Sequence, residues 1–391
     1  MSSTTTASPA DLQAAWAQGT QALREGRHTD AVRHFQRITA SGQATAPVWV
    51  AVAIAEKGRG DAKAALAALD QARALDPRDI RALIMTADHY RDAGDARAAS
   101  SYYSAVVGVA VEAGTVEKGL EAEVGRAQHM REQYAARYEA QLQGALTGKG
   151  LDRPEARRAA KAVDLLTGKA QLYLQQPKNF YFPELPNIEW APREDFAWLD
   201  KLEAATDEIR DELKRVLEED NAFSPYIEAE PDRPFFDDHG MLGNPNWSAF
   251  YLWKAGAPVP ENAARFPKTM AALADAPLCK IPGRTPSILF SLLTPGAHIP
   301  PHHGFMNGRY ICHLPLIVPE GCGMRVGSET RPWIEGKACV FDDSIEHEAW
   351  NRNLERLRVV LIFDVWRPEL SELERDLIAA ILGAVDNFGA G

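Results

Sequence analysis

A period of 34 residues runs through the first third of the chain. Gly26, Gly60 and Gly94 stand 34 apart, and so do Ala31, Ala65 and Ala99. Two further columns hold Phe35, Leu69 and Tyr103, and Gly19, Ala53 and Ala87. A helix pair that repeats needs small residues where its two helices approach, a glycine where the chain turns, and one bulky residue to fill the gap to the next pair. This spacing is that of tetratricopeptide repeats, in which no hairpin buries its own apolar face and at least three must stack. Trp49 and Pro77 fall on the same consensus in the middle repeat. The expected fold is therefore an α-helical, tetratricopeptide-like solenoid over residues 12–113, in three repeats of about 12–45, 46–79 and 80–113. Such solenoids bind peptides along a concave face or pack against a neighbouring domain; peptide binding is the favoured role.

Residues 114–176 stay helical and polar, broken at Gly148-Lys149-Gly150 and Asp152-Arg153-Pro154, and read as a helical cap and connector. From 177 the character changes. Asn179–Pro186 is aromatic and proline-rich, as in an extended entry to a new domain. Trp198, Leu202, Ala205, Ile209 and Leu213 then recur at helical spacing, which predicts one amphipathic helix. Beyond Trp247 the pattern is of strands: 287–293, 309–318, 339–341 and 357–366, separated by Gly/Pro turns. Short strands with no helical pattern between them predict a mainly-β jelly roll, or cupin-like double-stranded β-helix, with flanking helices over 177–391.

A formal charge of −11 excludes nucleic acid as the main partner, since no basic surplus exists to neutralise phosphates. Four cysteines without CxxC spacing indicate neither a zinc knuckle nor a disulfide framework. Met1–Thr6 lacks the basic and apolar regions of a signal peptide, and no run of 18 apolar residues is present. No membrane association and a reducing, cytoplasmic compartment are the expectation.

The chemistry is expected between Ser287 and Asp364, which hold five of the ten histidines. His302 and His347, 45 residues apart and each at a strand edge, suggest a metal site built from opposite walls of a barrel. His303 adjoins His302 on an extended chain and so points the other way. The common two-histidine, one-carboxylate iron site wants an acid two residues after the first histidine, and that position is Gly304. The residues alone leave three readings open: non-haem iron, a structural or zinc site, or no metal. Asp342 and Asp343 offer oxygen ligands but equally suit a turn. Arg358 sits on an apolar strand, where an inward guanidinium requires an anionic partner; inward is the favoured orientation.

Pro301-His302-His303-Gly304, Asn307-x-Arg309, Pro319-Glu320-Gly321-Cys322, Trp333-x-Glu335-Gly336-Lys337, Phe341-Asp342-Asp343-Ser344, Glu346-His347-Glu348-x-Trp350 and Asp364-Val365-Trp366 carry a resemblance. From Trp247 to Leu370 the chain resembles the aspartyl/asparaginyl β-hydroxylase family of 2-oxoglutarate-dependent dioxygenases. The resemblance implies a double-stranded β-helix, Fe(II) and 2-oxoglutarate, with dioxygen as co-reactant. It implies that His302 and His347 are the iron ligands and that Gly304 marks a ligand position left to water. Ser291 and Arg358 match the residues that hold the distal carboxylate of 2-oxoglutarate, and His313 one near its other end. Arg309 matches a residue that grips the substrate's carboxylate, and Trp247 is assigned to the substrate with it. Ile311 departs from the animal enzymes, which carry Arg there. A repeat region ahead of the catalytic domain is similar to the animal arrangement. The implied activity is hydroxylation at the β-carbon of Asp/Asn-type residues in a peptide or protein, delivered by the repeats. Hydroxylation of a small molecule or lipid, halogenation, and a non-catalytic binding module are the alternatives.

Overall fold

The computed structural model describes residues 8–116, 118–219, 222–228 and 240–387. The readings made on Met1–Thr6 and on the bound at 391 lie outside them. The chain divides between Val163 and Asp164 into two compact units.

The first unit is a run of helix pairs: α1 (Pro9–Arg24) with α2 (His28–Ala40), α3 (Ala46–Gly58) with α4 (Ala62–Leu75), and α5 (Ile80–Asp92) with α6 (Ala96–Ala113). The glycine column supplies all three turns. Gly26, Gly60 and Gly94 adopt φ of +71°, +82° and +78°, a region open to glycine because it lacks Cβ. The alanine and bulky columns are buried throughout. Gly19 faces Phe35, and a Cβ there would lie 2.5 Å from the ring, which explains glycine where the second repeat has Ala53 and Leu69 in the same columns. Asp61, Asp79 and Asp95 cap α4, α5 and α6 by accepting from the amides of Ala64, Ala82 and Ala98. A longer helix, α7 (Glu121–Leu146), follows, and its Arg126 donates to Asp88 at 2.7 and 3.0 Å. Next comes α8 (Arg157–Thr167).

The second unit is built on two antiparallel sheets. The strands are β1 (Ser224–Pro225), β2 (Trp247–Lys254), β3 (Ala257–Pro258), β4 (Ile288–Leu293), β5 (His298–His302), β6 (Arg309–Ile317), β7 (Cys322–Val326), β8 (Glu329–Pro332), β9 (Cys339–Phe341), β10 (His347–Asn351) and β11 (Arg358–Trp366). One sheet runs β1-β2-β4-β11-β6-β9 with β3 on β2, and the other runs β5-β10-β7-β8. The strands expected at 287–293, 309–318, 339–341 and 357–366 are all present, and the pairing is compatible with a double-stranded β-helix.

The period of two along each strand sorts the side chains. On β11, Val359, Leu361, Phe363 and Val365 join a core with Phe196, Leu199, Ile209 and Leu213 of the helical cover. The intervening Arg358, Ile362 and Asp364 line a cavity on the opposite face. The same split holds on β6, with Tyr310, Cys312 and Leu314 toward the helices and Arg309, Ile311 and His313 toward the cavity. The helical cover departs from expectation. Instead of one helix over 198–213 there are two, α9 (Leu199–Ala204) and α10 (Thr206–Leu217). The Ala205 amide turns back to Leu202 O and the Thr206 hydroxyl bonds Glu203 O, so the last turn of α9 tightens and stops.

Candidate functional site

The cavity, about 640 Å³, takes its walls from β2, β4, β6 and β11 of the larger sheet and β5, β7 and β10 of the smaller. Every site residue expected from sequence lines it: Trp247, Ser291, His302, Arg309, His313, His347 and Arg358.

His302 and His347 do not come from opposite walls. They are direct register partners on β5 and β10 of the smaller sheet, with ring centroids 4.1 Å apart. Two details set this up. The register shifts between His347 and Ala349, where β5 carries Pro300 and Pro301. This irregularity lets Ile299 and His302, three apart, both face the cavity. Each ring is then fixed by its own strand: His302 Nδ1 bonds Pro300 O at 2.8 Å and His347 Nδ1 bonds Ile345 O at 3.0 Å. A carbonyl accepts only, so Nδ1 carries the proton in both rings and Nε2 carries the lone pair, the tautomer of a metal ligand. Burial, then the neighbouring His302, pushes the His347 pKa well down and keeps that ring neutral. His303 is not among the cavity-lining residues. Among the described residues no group of three or more His, Cys, Asp or Glu converges as a metal cluster. The donor set on offer is the Nε2 atoms of two imidazoles, which fits a metal that leaves its other positions to small ligands.

Arg358 points inward. It is 1% exposed, its Nη1 donates to Ser291 O at 3.2 Å and Ser291 Oγ at 3.4 Å, and it lies 4.4 Å over the Trp333 ring. Its Nε is buried without a hydrogen-bond partner, and among the described residues no carboxylate pairs with it. Burial pulls its pKa down to about 9. Beside it His313 Nδ1 and Trp333 Nε1 are also buried and unpartnered, and burial followed by the Arg358 charge takes His313 down to about 3. A buried guanidinium beside two ring nitrogens without partners among the described residues is a cradle for a carboxylate. Trp247 Nε1 donates to Ser291 Oγ at 3.2 Å, and its indole stacks on Tyr226 at 4.1 Å.

Arg309 differs from Arg358 in having company. Its Nη2 meets Asp343 Oδ2 at 3.0 Å and its Nη1 meets Asp364 Oδ1 at 2.9 Å, all three residues being buried. Burial raises Asp343 to about 7 against the pull of Arg309, and raises Asp364 likewise. Burial opposes the Arg309 charge, but the two aspartates outweigh it and hold its pKa up. Asp342 and Asp343 are thus more than turn formers. Asp342 pairs with the buried Arg367 at 2.9 Å. Asp343 fills the space beside Gly304, where any Cβ would collide with its carboxylate.

Sequence reasoning missed Tyr226 and the Arg309–Asp343–Asp364 cluster. Counting by twos from Arg358 along β11 reaches Asp364 on the same face, so that part was findable.

Residues 203–368 match the family model described as Aspartyl/Asparaginyl beta-hydroxylase. The chain is similar to Aspartyl/asparaginyl beta-hydroxylase of Mus musculus, 41% identical over 150 residues, 37% of this chain and 19% of that protein. It is similar also to Ornithine lipid ester-linked acyl 2-hydroxylase of Rhizobium tropici, 34% identical over 49% of this chain and 64% of that protein. Aspartate beta-hydroxylase domain-containing protein 2 of Homo sapiens is 30% identical over 52% and 54%. The matched region spans about a fifth of the first of these relatives. Among solved structures, PcrH in complex with the chaperone binding region of PopD aligns at 22% identity and a TM-score of 0.31, over 34% of this chain and 96% of that chain.

Proposed function

We propose, for a chain whose residues 203–368 belong to the aspartyl/asparaginyl β-hydroxylase family, an Fe(II)- and 2-oxoglutarate-dependent hydroxylase acting at the β-carbon of Asp/Asn-type residues in a peptide or protein. One observation carries it: a buried arginine with no acid partner among the described residues shares a cavity with two tautomerically fixed histidines. The first calls for a carboxylate and the second for a metal.

In this reading Nε2 of His302 and His347 hold the iron. Arg358 and Ser291 hold the distal carboxylate of 2-oxoglutarate, a charge-assisted contact strengthened by burial. Trp247 fixes the Ser291 hydroxyl through its indole N–H. His313, kept neutral by burial, faces the same ligand without adding a second cation. When bound, iron and 2-oxoglutarate supply the oxidation: one atom of dioxygen enters a substrate C–H bond as hydroxyl and the other enters succinate as carbon dioxide leaves. The protein orients both partners and excludes water.

The repeats are the proposed route for a protein substrate. No helix of the described residues is long and apolar enough to cross a membrane, and all four cysteines are free, as suits a reducing, cytoplasmic setting. A second reading, hydroxylation of an acyl chain, is favoured by the likeness to the Rhizobium tropici lipid hydroxylase. The test is succinate formation by the full chain with Fe(II) and 2-oxoglutarate, alone and with an Asp/Asn peptide library or acyl lipids, followed by product mass. Absence of both 2-oxoglutarate binding and succinate would end the enzymatic reading.

A further inference from the structure

Six charged residues line the cavity: Arg284, Arg309, Arg358, Asp343, Asp364 and Asp386. Five of them are already matched. Arg309 is bracketed by Asp343 and Asp364, and Arg284 pairs with Asp386 through Nε at 2.7 Å and Nη2 at 2.6 Å. Arg358 is the one lining arginine without a carboxylate among the described residues.

The two ends of the cavity lie far apart. Arg358 and Asp364 are six residues apart on β11, roughly 20 Å along an extended strand. Arg358 therefore serves one end only, the end proposed for 2-oxoglutarate. At the other end the uncompensated atoms are of two kinds. Arg309 Nε and Nη1 are buried donors and Asp343 Oδ1 a buried acceptor, none with a hydrogen-bond partner among the described residues. Nη1, however, lies 2.9 Å from Asp364 Oδ1 and is compensated by its charge, which leaves Nε and Asp343 Oδ1 as the open pair. Ile311 also lines the cavity here, directly across from Asp364 in the β6–β11 register.

We propose that this second end selects a carboxamide and rejects a carboxylate, so that among side-chain substrates the enzyme acts on asparagine-type and not aspartate-type residues. This rests on the hydroxylase reading above and narrows its substrate. A carboxamide carries one acceptor and one donor: its oxygen accepts from Arg309 Nε and its NH₂ donates to Asp343 Oδ1. A carboxylate satisfies the first but offers no donor to the second, and it meets like charge there when Asp343 is ionised. Ile311 adds no cation to offset it. Arg309 is then a specificity-determining residue through its two aspartates, not a bare anion grip.

The test uses the full chain with Fe(II) and 2-oxoglutarate and matched peptides that differ only by Asn or Asp at one position. Succinate release and a one-oxygen mass gain are read together. Asn peptides are expected to exceed their Asp partners by at least about tenfold in kcat/KM, as for a site with buried hydrogen-bonding groups built for one partner. Ile311→Arg, which adds a cation to this wall, and Asp364→Asn, which releases half of the Arg309 charge, should each move the ratio toward Asp. Equal or better turnover of Asp peptides by the parent overturns the proposal. So does a full Asn panel that leaves succinate at its substrate-free rate, including the case in which acyl lipids are hydroxylated instead. Substrate-free succinate formation separates the two levels: its presence keeps the hydroxylase reading whichever way the Asn/Asp ratio falls.

Discussion

Arg358 and Asp364 stand on the same strand and the same face, six residues apart, in opposite electrostatic conditions. Asp364 is ion-paired to Arg309 at 2.9 Å, whereas Arg358 is buried with no carboxylate against it among the described residues. The unpaired charge is the feature to probe first. Arg358→Met should weaken 2-oxoglutarate binding by about thirty- to a hundredfold, the equivalent of about 2–3 kcal/mol for a lost charge-assisted contact. The same variant should raise the thermal midpoint of the ligand-free protein, because a buried cation without a carboxylate partner among the described residues is replaced by an apolar side chain. Calorimetric titration and a melting curve read both, and unchanged affinity would remove Arg358 from the site.

Metal binding should depend on the register pair and not on its neighbour. His302→Ala and His347→Ala are expected to abolish stoichiometric iron, and His303→Ala to retain it, since His303 is not a lining residue. Metal analysis after anaerobic reconstitution checks this. Loss with His303→Ala and retention with His302→Ala would reverse the assignment.

Gly304 is held at glycine by Asp343. Gly304→Ala should displace the Asp343 carboxylate from Arg309 and cost about 1–3 kcal/mol, as overpacking does. Gly304→Asp should cost more, because it sets a second carboxylate against the first. Adding Asp343→Ala to Gly304→Ala should recover part of the loss. Urea denaturation of the parent, Gly304→Ala, Asp343→Ala and the double variant closes a double-mutant cycle, and strict additivity would show that the two positions do not meet.

Acid should destabilise the ligand-free protein through its buried imidazoles. His313 is depressed from 6.5 to about 3, so between those values the unfolded chain binds the proton and the folded one does not. Stability from this group is complete above pH 6.5 and is lost as pH falls toward 3, with a slope approaching about 1.4 kcal/mol per pH unit. Asp343, raised to about 7, works in the opposite sense between 3.8 and 7. His313→Gln should flatten the acid limb, and Asp343→Asn should steepen it. Denaturation midpoints from pH 3.5 to 7.5 test both signs.

The solenoid and the strands were legible because they depend on local periods. A 34-residue repeat places Gly26, Gly60 and Gly94 at turns, and alternation along 357–366 separates Arg358 from Leu361 and Phe363 whatever the rest of the chain does. The break at Ala205 was not legible, since it turns on one hydroxyl–carbonyl bond inside an otherwise continuous helical pattern. The residue types of the site were legible too: His302, His347 and Arg358 stand out by chemistry alone, and the family resemblance assigned them roles. Which of them meet was decided by tertiary structure. That His302 and His347 are neighbours in one sheet follows from strand pairing and an irregularity at Pro300–Pro301, neither of which one-dimensional spacing encodes. That Arg309 is shared by two aspartates while Arg358 has none among the described residues follows from distances between strands far apart in sequence. Composition specifies how many charges a chain carries; only packing determines which of them are compensated.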